Sequence, residues 1–277
     1  MNTPRPYLRI GLFALGLAAV FAASVAVGSL VEPAETESSE MEETMDAHGA
    51  HGTTAAAHEP AGLGVSTDGY TLRIAPTQLQ REEEHELRFA IEDAAGEPVI
   101  EFDELHERRM HLIVVRRDGA GFRHLHPEMD AVGTWTVPVT FAAAGVYRVF
   151  ADFSAAGEQQ TLAADLFVSG GDFEARPFPA PQPVAATEGY EVELTAGEPV
   201  AGEPTTLEFA VADGGRPVAK LQPYLGADGH LVALREGDLA FLHVHPEEEQ
   251  GEPNEIVFEA EFPTAGRYRL YLQFRHG

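Results

Sequence analysis

Three histidines stand at one fixed spacing twice in this chain. In MHLIVVRRDGAGFRHLHPE (110–128), His111 is followed 13 positions later by His124 and two beyond that by His126. In GHLVALREGDLAFLHVHPE (229–247), His230, His243 and His245 repeat the pattern 119 residues on. Neutral imidazoles without a thiolate among them suit Cu(II) or Zn(II). The chain has no cysteine, which excludes disulfides, thiolate metal sites and cysteine nucleophiles.

A hairpin brings such residues together. HLIVVR is strand-like, Asp118-Gly119 is a two-residue turn signal, and GFRHLH returns. That turn sets His111 opposite His126 and His124 opposite Ile113, so all three imidazoles share one face with Ile113, Val115 and Phe122. With Gly237-Asp238 as the second turn, His230 faces His245 and His243 faces Val232. Opposed Cβ atoms lie about 5 Å apart, within reach of one shared ion at about 2.0–2.1 Å per ring. The expectation is one three-histidine metal site per repeat. Glu128 and Glu247, just past each His-x-His-Pro, are candidate fourth ligands or partners of a ligand. The competing reading is structural, with imidazoles capping carbonyls at a strand end. His106 aligns with Leu225 and reads as a surface residue; His85 and His276 have no match.

The elements around these hairpins read as strands. YTLRIA, HELRFAIED, TWTVPVTF, VYRVFADF and TLAADLFV alternate apolar and polar between Gly, Pro and Asp-Gly turns, the pattern of an all-β, Ig-like sandwich. LRFAIEDAAGEPV (87–99) returns as LEFAVADGGRPV (207–218), and FAAAGVYRVFADF (141–153) as FPTAGRYRLYLQF (262–274). The offsets of 119 to 121 mark a tandem duplication. Trp135, Phe141, Tyr147 and Phe153, with Phe258, Phe262, Tyr268 and Phe274, are the expected core. Gly145 and Gly266, each before x-Tyr-Arg, suggest tyrosine corners. The second copy has no counterpart of TLAADLFV, so an open sheet edge is expected there.

The predicted organisation starts with a cytoplasmic N-terminus (1–9) and an apolar 22-residue run (10–31). That run is long enough to cross a hydrocarbon core of about 30 Å and is read as an anchor or uncleaved signal. A flexible acidic linker (32–62) follows, with Met41, Met45, His48, His51 and His58. Then come repeat 1 (63–172), a proline-rich linker (173–186) and repeat 2 (187–277). The fold class is therefore two tandem Ig-like sandwiches after a transmembrane helix and a disordered linker, single-pass in the cell membrane, with both domains extracellular or periplasmic. Lys+Arg is 18 against Asp+Glu 45, a net charge of −27, which repels nucleic acid.

The segment from Met110 to Phe153 resembles a module of exported, histidine-rich bacterial proteins, actinobacterial especially, associated with copper handling. His111, His124, His126, Pro127, Trp135, Gly145 and Tyr147 carry the resemblance, with His230, His243, His245, Pro246, Gly266 and Tyr268 in the second copy. At the level of fold it is loosely similar to periplasmic copper-resistance proteins of the CopC and YtkA-like kind, although the N-terminal histidine ligation of that group has no counterpart here. The resemblance implies copper as the bound ion, with zinc the alternative. The expected function is a non-catalytic, membrane-tethered metal-binding protein that buffers or delivers copper, with a metal-transport protein as a possible partner. An Ig-like interaction module with structural histidines is the alternative. A cupin-like metalloenzyme is a weaker one, since Gly237-x5-His243-x-His245-x3-Glu249 matches only half of a cupin motif.

Overall fold

In the computed structural model, residues 60–224, 226–244 and 252–277 are described. The anchor run, the linker up to residue 59, the His243 side chain, His245 and Glu247 lie outside them. Among the described residues there is no helix, so none is long and apolar enough to cross a membrane.

The first repeat contains β1 (Ser66–Thr67), β2 (Tyr70–Ala75), β3 (Gln78–Gln80), β4 (Glu84–Glu92), β5 (His111–Arg116), β6 (Arg123–Leu125), β7 (Glu128–Met129), β8 (Trp135–Thr140), β9 (Gly145–Ala155) and β10 (Glu158–Ser169). The second contains β11 (Val184–Thr187), β12 (Tyr190–Ala196), β13 (Pro204–Asp213), β14 (Arg216–Pro217), β15 (Gly229–Arg235), β16 (Phe241–Val244), β17 (Glu255–Glu261) and β18 (Tyr268–Phe274). The all-β class and the sandwich architecture expected from the alternating runs are both present. Repeat 1 stacks the sheet β1-β2-β4-β8-β7 on the sheet β3-β10-β9-β5-β6. Repeat 2 stacks β11, β12, β13, β14 and β17 on the three-stranded sheet β16-β15-β18. Leu87, Phe89 and Ile91 of β4 alternate into the first core, and Leu207, Phe209 and Val211 of β13 do so in the second. Trp135, Phe141, Tyr147 and Phe153 are buried as expected. Both tyrosine corners form: Tyr147 donates to the Ala143 carbonyl at 2.9 Å and Tyr268 to that of Thr264 at 3.0 Å.

β5 and β15 behave differently from the other strands. Every residue of β5 is buried, and β15 is buried from Gly229 to Leu234. An antiparallel strand with one wet face would alternate; these two are covered on both faces. Leu112 and Val114 enter the first sandwich core. Ile113 and Val115 face the other way and meet Val232 and Leu234 of β15. The two histidine hairpins therefore pack against each other, back to back with the sandwich cores. The aromatic contacts in this seam are reciprocal. Phe122 stacks on Tyr271 with centroids 4.1 Å apart, and Phe241 stacks on Phe150 at 5.0 Å. Phe241 is the repeat equivalent of Phe122, and Tyr271 that of Phe150, so the seam has approximate two-fold symmetry, like an isologous dimer interface.

Three expected boundaries shift. The linker predicted to reach residue 62 is already docked at Ala61, whose carbonyl accepts from Phe241 N at 2.9 Å, while Gly62 N donates to Thr161 O at 3.1 Å. Gly62 has φ +70°, and a Cβ there would come within 2.8 Å of both Phe150 and Phe241, so only glycine fits this part of the seam. The second repeat begins at Val184 rather than 187, because β11 pairs with β12. The turns are wider than two residues. Arg116 N donates to Ala120 O at 2.8 Å and Arg235 N to Ala240 O at 3.0 Å. The Arg116 guanidinium grips Asp118 through two bonds of 2.8 and 2.7 Å, and Arg235 grips Asp238 likewise, which draws each aspartate out of the turn corner. The predicted registers hold even so: Ile113 pairs with His124, and Val232 with His243.

At the outer edge of the second repeat, β18 is bonded to β15 alone, whereas its equivalent β9 lies between β5 and β10. The expected open edge is present among the described residues. Phe241 anchors the seam, so Phe241→Ala is expected to cost about 3–5 kcal/mol, as deletion of a buried aromatic does. Urea unfolding measures this; a loss below about 1 kcal/mol contradicts a packed seam.

Candidate metal centre between the repeats

The seam's apolar contacts end where the histidines begin. His111 starts β5, His124 lies on β6 opposite Ile113, and His126 follows one residue past the strand. Their nearest ring nitrogens all fall within 4.8 Å of one another. Ring centroids are 5.1 Å apart for His111–His124, 5.3 Å for His111–His126 and 4.8 Å for His124–His126. Imidazoles sharing one tetrahedral ion at 2.0–2.1 Å per nitrogen have centroids roughly 5 Å apart. His111 and His124 are buried, at 0% and 8% exposure.

The second repeat contributes to the same place. His230, 2% exposed, lies 5.8 Å from His124 and 6.3 Å from His111, centroid to centroid. His106, read from sequence as a surface residue, is 5.4 Å from His230 and 6.3 Å from His111. Five imidazoles from both repeats thus form one cluster. His106 occupies a tight turn with Glu107, both with positive φ (50° and 61°), closed by reciprocal bonds between Leu105 and Arg108. That turn presents the Leu105 carbonyl to His111.

The outer hydrogen bonds decide which nitrogens face inward. A carbonyl oxygen only accepts, so the nitrogen bonded to it carries the hydrogen. His111 Nε2 donates to Leu105 O at 2.9 Å, and His230 Nε2 donates to the equivalent Tyr224 O at the same distance. Both rings therefore present Nδ1 as a lone pair. His124 Nδ1 donates to Gln273 Oε1 across the seam at 2.7 Å, which leaves its Nε2 as the lone-pair nitrogen. His111 Nδ1 and His124 Nε2 then stand 2.9 Å apart with two lone pairs converging. Either a proton sits between them or a cation does. Nitrogens bound to one tetrahedral ion sit about 3.3 Å apart, so metal entry needs only a few tenths of an ångström of opening. His126 Nε2 is buried and has no hydrogen-bond partner among the described residues. An outer nitrogen tied to a carbonyl, with the other nitrogen facing its neighbours, is the pattern around metal-ligating histidines.

Glu128 is not brought to the cluster. After His126-Pro127 the chain leaves the hairpin sheet, and Glu128 pairs with Thr136 of β8 in the opposite sheet, exposed to solvent. Of the two histidines without a repeat match, His276 bonds to the Tyr190 hydroxyl at 2.9 Å and His85 to the backbone of Gln80. The residues that sequence reasoning missed are His106 and Gln273. His106 was set aside because its repeat equivalent is Leu225, a comparison that misses any ligand supplied by one copy to a shared centre. Gln273 carries no metal-ligand signal of its own, but it lies directly opposite His230 on β18.

Burial, with a smaller push from the Arg108 guanidinium, lowers the His126 pKa from 6.5 to about 4. The unfolded chain then takes up this proton at a higher pH than the folded one, so stability falls as pH drops. For the metal-free protein this contribution is whole above about pH 6.5 and lost progressively down to about pH 4. Urea unfolding across that window checks it: His126→Gln is expected to flatten the decline, and an unchanged pH profile contradicts a ring buried in its neutral form.

No curated protein matches the chain. Among solved structures, the FdeC adhesin of Escherichia coli is similar at 17% identity and TM-score 0.29, covering 76% of this chain and 60% of its own. Trypsin-activated α2-macroglobulin of Escherichia coli is similar at 14% identity and TM-score 0.29, covering 79% of this chain and 14% of its own. The Yersinia pseudotuberculosis adhesin InvE is similar at 9% identity and TM-score 0.26, covering 77% and 60%. This chain thus spans less than two thirds of each. One family model matches both repeats, over residues 65–170 and 185–277. The chain belongs to that family, described as a domain of unknown function (DUF8832).

Proposed function

We propose that this protein holds one transition-metal ion, copper first and zinc second, in a single centre shared by its two repeats. The observation that carries this reading is the convergence of His111 Nδ1 and His124 Nε2, each turned inward by an acceptor on its other nitrogen. His126 and His230 complete the donor set, with His243, His245 and His106 as further candidates from the sequence spacing and the cluster. This replaces one site per repeat with one site per chain. A centre walled by imidazoles from both sides leaves little room for a substrate, which fits storage or delivery rather than catalysis. The apolar run at 10–31 and the Met/His tract before residue 60 support a membrane-tethered extracytoplasmic role in copper buffering, resistance or hand-over to a transport protein. The exposed edge of β18 supports a second reading, an interaction module that recruits a partner strand.

Calorimetric titration of the full chain in detergent with Cu(II), then Zn(II), at pH 7 separates these readings. One tight equivalent is expected, lost on combined His111→Ala and His124→Ala and weakened at least tenfold by His230→Ala. Two tight equivalents, with the second surviving the repeat-1 double substitution, contradict a shared centre. No tight binding removes the metal reading and leaves the interaction module.

A further inference from the structure

Arg148 of β9 and Arg269 of β18 are repeat equivalents, 121 residues apart. Arg148 is 6% exposed, and β10 meets its charge. Asp165, directly opposite it, accepts from Arg148 Nη1 at 3.2 Å and from Arg117 Nη2 at 2.7 Å. Arg269 is half-buried, its guanidinium carbon 5.7 Å from the Phe178 ring centroid and 5.3 Å from that of Tyr271. Among the described residues no carboxylate pairs with it. Glu236, the equivalent of Arg117, is engaged by Arg267.

The apolar rows of the two strands differ in the same way. On β9, Tyr147, Val149, Ala151 and Phe153 are at most 4% exposed. Their equivalents on β18, Tyr268, Leu270, Leu272 and Phe274, pack against the second core but stay half-buried. β10 makes the difference in repeat 1. Its Leu162, Leu166 and Val168 lie in the core beside the β9 row, while Asp165 is on the other face. Among the described residues β18 is bonded to β15 alone, so its outer edge keeps both a row of backbone donors and acceptors and an incompletely covered apolar row. Residues 266–277 also carry Arg267, Arg269 and Arg275 and no acidic residue, in a chain of net charge −27. The repulsion of that net charge is screened beyond about 8 Å at physiological salt, so the local arginines decide what docks at the edge.

We propose that the outer edge of β18 binds an extended segment of a partner protein, antiparallel as β10 is to β9, with an Asp or Glu opposite Arg269 and apolar side chains opposite Tyr268, Leu270 and Leu272. The inference rests on the second reading above, that this edge recruits a strand, and is independent of the metal centre. In strand addition the backbone bonds supply affinity and the alternate side chains supply specificity. Repeat 1 shows the side chains that fit: in the β10–β9 register Leu166 lies opposite Tyr147, Asp165 opposite Arg148, Ala164 opposite Val149 and Leu162 opposite Ala151. A bond between two charged groups is roughly twice as strong as a neutral one, so the acid facing Arg269 selects among strands that are otherwise alike in their apolar row.

The probe is a labelled synthetic peptide of the β10 sequence, Glu158–Ser169, titrated into the full chain in detergent with a chelator present. Saturable binding is expected, with slowed backbone hydrogen exchange in β18 and none gained in β9. Affinity is expected to fall about three- to tenfold for the peptide carrying Asp165→Asn and further for Asp165→Lys. Arg269→Gln in the protein is expected to remove the preference for Asp over Asn, and the peptide variants alone decide the matter if that protein does not fold. Equal binding of the Asp, Asn and Lys peptides overturns the acidic partner while leaving strand recruitment standing. No binding fails the recruitment reading itself. Slow exchange in β18 before any peptide is added also overturns the inference: in a dimer the occupant is a second copy, and in a monomer it is a segment of this chain before residue 60. None of these outcomes bears on the metal centre.

Discussion

The structure depends on two strands that are apolar on both faces. β5 and β15 each put one row of side chains into their own sandwich and the other row into the seam. Burial of a Val, Leu, Ile or Phe side chain contributes about 1.5–3 kcal/mol relative to exposure. Ile113, Val115, Phe150, Val232, Leu234 and Phe241 therefore outweigh anything the neighbouring imidazoles contribute by contact. The apolar part of the seam brings the repeats together, and the histidines are carried into place at one end of it. Gly62 and Ala61 fill the remaining gap between Phe150 and Phe241, so the chain entering the first repeat is also part of the joint.

Much of this was legible in the sequence. The duplication, the strand-like runs, the hairpin registers and the tyrosine corners follow from the period of two, the 119- to 121-residue offsets and the x-Tyr-Arg motifs. The meeting of the two histidine sets was not, because hairpin pairing fixes which residues share a face and says nothing of what covers that face. A signal was present: HLIVV and HLVAL are unbroken apolar runs in antiparallel strands, where a solvated face would have shown polar alternation. Glu128 failed as a candidate ligand for a related reason. Its spacing from His126 looks constant in both copies, but Pro127 takes the chain from one sheet to the other.

The chemistry of the cluster follows from its outer bonds more than from its spacing. Backbone carbonyls of two equivalent tight turns, at Leu105 and Tyr224, hold the same nitrogen of His111 and His230. The side chain that holds His124 comes from the other repeat. The second repeat thus orients a histidine of the first, and the first hairpin does not form this arrangement alone. Around it lies a strongly acidic chain, 45 acidic against 18 basic residues, whose field concentrates cations near the surface. On the proposed reading, one shared centre would tie metal occupancy to the closeness of the repeats, since an ion bound from both sides favours the closed seam by mass action.

The most direct measurement is an anomalous difference map from crystals grown with Cu(II) or Zn(II), recorded on both sides of the metal edge. A shared centre predicts one strong peak per chain, within bonding distance of His111 Nδ1 and His124 Nε2 and with a histidine of the second repeat in its coordination sphere. Two peaks, one enclosed by each hairpin, or a peak touching residues of a single repeat, contradicts it.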